Sequence, residues 1–157
     1  MDYSKVKENI EASEASDFAY AKWYEKQPVE RKVSMIASGY RFVANHIRQT
    51  VLKINPFATQ ASIRAKFIEH TQKEDYSEEV YAFIEEKMKV YSEKEWQERF
   101  KVMKKSLGWS YKEMAIYMEA KNGSSIKASI NRQLPAFAKL AVCIFEQNQK
   151  QNTIEKT

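Results

Sequence analysis

The sequence predicts an all-α protein, a helical N-terminal region followed by a four-helix domain with a helix-turn-helix layout. Three observations carry this. Only 3 Gly and 3 Pro occur in 157 residues, too few for a strand-and-turn architecture. Apolar residues recur at steps of three and four, the period of a helix face. Helix-start signatures punctuate the chain where those stripes begin. Hydrophobic residues make up 43% and aromatics 13%, so a core can form and a disordered tail is excluded.

From Ser4 to about Lys26 the chain reads as a weakly amphipathic helix with Val6, Ile10, Phe18, Ala21 and Trp23 as its apolar residues. Pro28 opens the strongest helix of the N-terminal half. Val29, Val33, Ile36, Tyr40, Val43, Ile47, Val51 and Ile54 form one seam, suited to an internal helical hairpin or a dimer. Asn55-Pro56 ends it. Thr59 caps a shorter helix with Ile63, Phe67 and Ile68, broken at Asp75-Tyr76-Ser77. A helix from Ser77 to Val90 follows, with Val80, Tyr81, Ile84 and Met88 on one face.

Ser92 and Glu95 then read as a capping box, with Tyr91 and Trp96 as its hydrophobic staple. Trp96, Phe100, Met103 and Leu107 form the expected buried stripe of the helix so begun. Ser110 and Glu113 repeat the device with Trp109 and Met114. The turn Glu119-Ala120-Lys121-Asn122-Gly123 separates this helix from the next, with Asn122-Gly123 suited to a left-handed conformation. Pro135 opens the last helix. The domains expected are therefore 1–90, a helical region for dimerisation or effector binding, 91–150, and a tail, 151–157.

Residues 92–147 resemble the phage-repressor (XRE-like) helix-turn-helix domain. Leu107-Gly108-Trp109-Ser110 is similar to its Leu-Gly-x-Thr/Ser entry, and Glu113, Met114 and Ala115 to its Glu-Leu-Ala. Met118 and Ile126 match core positions, and Pro135 stands nine residues beyond Ile126. Phe137, Leu140, Ala141 and Ile144 match the apolar face of the following helix. Two departures are a turn one residue longer and Ile130, which reads as added core. The N-terminal half is weakly similar to short uncharacterised bacterial helical proteins, through Pro28-Val29-Glu30-Arg31 and Pro56-Phe57-Ala58, and that implies no activity.

The charge is segregated. Residues 1–90 carry 14 Lys+Arg and 14 Asp+Glu, while 91–150 carry 11 against 6, so the net +5 lies in the motif segment. Such an excess suits a polyanion. With Ile126 and Ile130 inward, the recognition helix near 124–133 presents Ser124, Ser125, Lys127, Ser129, Asn131 and Arg132. Ser110, Tyr111, Lys112 and Lys121 are the expected phosphate contacts. The reading is a sequence-specific duplex-DNA-binding transcriptional regulator, a homodimer through its N-terminal helices. The alternative is a helical protein adaptor that keeps the motif as a scaffold.

No enzyme, cofactor or metal is expected, since Cys143 is the lone cysteine and His46 and His70 stand apart from other ligands. No signal core or spanning run is evident, and a reducing cytoplasm without membrane contact fits.

Overall fold

The computed structural model describes residues 16–154. They are helical throughout, and no strand occurs among them. Helix α1 covers residues 16–25. It is followed by α2 (Val29–Ile54), α3 (Gln60–Thr71), a single 3-10 turn (Lys73–Asp75) and α4 (Glu78–Ser106). Then come α5 (Tyr111–Tyr117), α6 (Gly123–Arg132) and α7 (Ala136–Ile154). The expected helical start around Val6 and Ile10 lies outside the described residues, as do 155–157. Residues 151–154, expected as tail, continue α7. No helix among the described residues is long and apolar enough to cross a membrane.

The chain groups into two compact units that meet between His46 and Ile47, not at 90/91. In the first, Val29, Val33, Ile36, Tyr40 and Val43 of the α2 seam are between 39% and 70% exposed. In the second, α3 packs along α4, α5 against α6, and α4 against α7. Ile47, Ala61 and Ile63 are buried at the α3 end. Phe100, Met103, Met114, Ala115, Ile126, Ile130, Leu134, Ala138 and Val142 form the main core.

The expected helix start at Ser92 does not exist, and the 90/91 boundary falls inside the 29-residue α4. The residues that read as a local cap cap a neighbour. The Ser92 hydroxyl lies 2.8 Å from that of Thr59, the N-cap of α3. The Glu95 carboxylate accepts from the first two amides of α3, Gln60 N–H at 2.7 Å and Ala61 N–H at 2.8 Å. Those amides have no partner within their own helix, and a carboxylate there is further favoured by the helix dipole. Ser77, by contrast, is the N-cap of α4, with Val80 N–H donating to its hydroxyl.

The last helix is rotated from expectation. Ala138 and Val142 face the core, while Phe137, Leu140, Ala141 and Ile144 are exposed. Two ion pairs on one flank of α7 set the rotation: Lys139 Nζ to Glu93 at 2.6 Å, and Glu146 to the Arg99 guanidinium through two bonds of 2.5 and 2.7 Å. Leu107 and Met118, expected in the core, are exposed because each sits in the C-cap position of its helix.

Replacing Glu95 with Ala is expected to lower stability by about 1–2 kcal/mol, the cost of a lost N-cap. Thermal denaturation followed by circular dichroism reads it, and an unchanged midpoint would refute the role assigned to this carboxylate.

Candidate nucleic-acid interface

The two helices of the motif are set by three local devices. Leu107 closes α4, and Gly108 follows at φ +69°. Gly108 N–H donates to Lys105 C=O and Trp109 N–H to Lys104 C=O, the paired bonds of a Schellman motif. Ser110 and Glu113 then form the expected capping box: Ser110 N–H donates to the carboxylate at 2.7 Å and Glu113 N–H to the hydroxyl at 3.2 Å. These bonds hold the Glu113 carboxyl below its ordinary 4.5, the backbone bond from Ser110 being the main cause. Trp109 packs edge-on against Tyr117, ring centroids 5.7 Å apart.

The turn differs from the one expected. Its left-handed residue is Glu119, at φ +51°, not Asn122 or Gly123. Glu119 N–H donates to Ile116 C=O and Ala120 N–H to Ala115 C=O, so a second Schellman motif ends α5. Asn122 is the extended N-cap of α6, its side chain accepting from Ser125 N–H at 2.9 Å. Gly123 is the first residue of α6. A Cβ there would stand 2.7 Å from the Tyr111 carbonyl oxygen, so the glycine is required by close approach of α6 to the start of α5.

On α6, Ile126 and Ile130 are buried, and Ser124, Lys127, Ala128 and Asn131 share the opposite, exposed face at i, i+3, i+4 and i+7. The far end of the helix is clamped. Gln97 Nε2 donates to both Ile130 C=O and Asn131 C=O at 3.0 Å, and Glu93 accepts from Leu134 N–H beyond it. Among the described residues, Lys112, Lys121, Lys127 and Arg132 have no ion-pair or hydrogen-bond partner. Five of the six carboxylates of residues 91–150 are engaged elsewhere: Glu93 with Lys139, Glu95 at α3, Glu98 with Lys101, Glu113 in its box, Glu146 with Arg99.

Five expected contact residues are placed otherwise. Ser129 is half-buried and, with Ser125, lines a pocket of about 220 Å³ between α6 and α7, walled by Phe100, Met118 and Phe137. The Ser125 hydroxyl donates to Asn122 C=O at 2.8 Å. Tyr111 is half-buried against the core, with Lys104 Nζ 4.9 Å from its ring. Arg132 is exposed but lines an open cleft of about 570 Å³ with Glu85, Lys89 and Glu93, on the α3–α4 side. The Ser110 amide, expected to hold a phosphate, is occupied by the Glu113 carboxylate. Gln97 was not anticipated; its i, i+4 spacing from Glu93 was the available signal.

His46 and His70 are exposed and Cys143 is half-buried, its thiol pushed up by burial. No cluster of metal-ligating side chains occurs among the described residues. No protein-family model, curated protein or solved structure matches this chain.

Three outcomes are expected. Gly123→Ala lowers stability by about 1–3 kcal/mol, as overpacking does. Glu119→Gly raises it by about 1 kcal/mol by removing the left-handed penalty, shifting the midpoint about 2–4 °C upward. The Glu113 pKa is depressed on folding, so its contribution is present above 4.5 and lost as pH falls below it. Glu113→Gln should therefore lessen the fall in melting temperature between about pH 6 and about pH 3; an unaltered pH profile would count against the capping bond.

Proposed function

We propose that this protein binds duplex DNA through α6, as a helix-turn-helix transcriptional regulator of the phage-repressor type. One observation carries the reading: α6 is buried on one face and clamped at both ends, while its other face aligns the side chains of Ser124, Lys127, Ala128 and Asn131, which bond to no other side chain among the described residues. Small residues at 124 and 128 let the helix backbone approach a groove floor. Asn131 offers the paired donor and acceptor that match adenine, and Lys127 offers a cation for guanine or phosphate. Lys112 and Lys121, exposed in the first turn of α5 and in the turn before α6, supply sequence-independent attraction to phosphates.

The reading head is narrow, since Arg132 lines the neighbouring cleft and Ser129 is half-buried. Weak binding by one copy follows, and pairing of two copies would supply specificity. The adaptor reading is supported by a different feature, the exposed Phe137, Leu140 and Ile144 of α7.

The test is fluorescence anisotropy of a labelled random-sequence duplex titrated across a salt series. The expected result is binding that weakens steeply with salt. Lys127→Ala should reduce the log–log salt slope by about 1, and Asn131→Ala should leave it unchanged while flattening preference among selected sites. Absence of binding at low salt up to about 100 μM would end the DNA reading in favour of the adaptor.

A further inference from the structure

The pocket of about 220 Å³ between α6 and α7 has a closed floor and an apolar mouth. Phe100, Met114, Ile126, Ile130 and Ala138 form the floor, and each is buried. Met118 and Phe137 stand at the mouth, 47% and 60% exposed. A molecule in the pocket shields both of these side chains from water, which favours its entry. The whole site lies within the second compact unit.

Its side-chain polar groups are two hydroxyls one turn apart on α6. The Ser125 hydroxyl donates to Asn122 C=O at 2.8 Å, so towards a guest its oxygen can only accept. The half-buried Ser129 hydroxyl has no hydrogen-bond partner among the described residues, so it can both donate and accept. Among the described residues, no charged side chain lines the pocket.

We propose that this pocket binds a neutral small molecule with one aromatic ring system and a single hydrogen-bonding group, the chemistry of a phenol or an indole. Size, charge and wall chemistry set that class. An apolar cavity of about 150 Å³ holds benzene. The volume here therefore takes a ring with one polar substituent or a fused second ring. A carboxylate or an ammonium would lose its water in the pocket and meet no counter-charge. Phe100 and Phe137 offer ring contacts and Met114 and Met118 offer sulfurs, which favour an aromatic guest over an aliphatic one. The Ser129 hydroxyl then meets the polar group of the guest, which an apolar wall alone would leave unpaired.

A guest seated there touches Ile126 and Ile130, the inward face of the helix whose outward face is the proposed reading surface. The site is argued from the cavity alone and its test uses no DNA, so it and the DNA reading can fail separately.

The experiment is an NMR titration of the full chain, carbon-13 labelled at its methionine methyls, with indole from about 10 μM to about 5 mM. That range brackets the Kd of roughly 10 μM to 1 mM that a guest of about nine non-hydrogen atoms reaches. The expected result is saturable shifts of the Met114 and Met118 methyls with one common Kd. Met88, which lines the α3–α4 cleft instead, should not follow that curve. Indole-3-carboxylate, the same ring bearing a charge, should bind at least about tenfold more weakly. Ser129→Ala should raise the Kd about 2–12-fold, the worth of one hydrogen bond. Ser129→Leu, which fills the pocket, should abolish the shifts without lowering the melting temperature. No saturation by about 5 mM, a Met88 curve identical to that of Met118, equal binding of indole-3-carboxylate, or binding untouched by the Ser129 variants would each overturn the proposal.

Discussion

Four side chains of one stretch of α4 hold the 47–154 unit together by satisfying groups at the ends of other segments. Glu95 caps the first amides of α3, and Arg99 reaches Phe57 C=O and, through a two-bond fork, Glu146 of α7. Glu93 and Gln97 hold the far end of α6 and the link to α7. On a helix, Ser92, Glu95 and Arg99 fall on one flank and Glu93 and Gln97 on another. Trp96, Phe100 and Met103 lie between them and point into the core. Glu93, Glu95, Gln97 and Arg99 all lie within two turns of one unbroken helix, α4. Helix ends carry four unsatisfied groups each, so meeting them from a single rigid element fixes the relative rotation of α3, α6 and α7 together.

That arrangement bears on the proposed interface. The outward face of α6 can be a reading surface only if the helix neither rolls nor slides. Its buried isoleucines resist rolling, while the Asn122 cap and the Gln97 clamp resist sliding. Gly123 lets α6 start against the Tyr111 carbonyl, which sets the separation of the two motif helices. Five of the six acidic side chains of residues 91–150 are held in structural bonds, and Lys112, Lys121 and Lys127 are exposed on α5, the turn and α6. The same unit leaves Phe137, Leu140 and Ile144 of α7 exposed.

What the sequence determined by itself was the local punctuation. Thr59, Ser77 and the Ser110–Glu113 box start helices as their spacing implies, because each bond joins residues three or four apart and forms wherever the helix does. The stripes on α4 and α6 were legible for the same reason: Phe100 and Met103, and Ile126 and Ile130, stand three and four residues apart on one helix face and are buried together. The tertiary structure alone decided whether a cap acts on its own helix or on another, as at Ser92 and Glu95, where the donors come from residues more than thirty positions away. It also chose between two apolar stripes of α7, through ion pairs at Lys139 and Glu146 that no local pattern announces. It placed the left-handed turn residue at Glu119 and sent Arg132 toward the α3–α4 cleft, separating it from Asn131. Period and capping specify where a helix begins and which residues share a face; the rotation of that face depends on partners distant in the chain, and only packing brings them together.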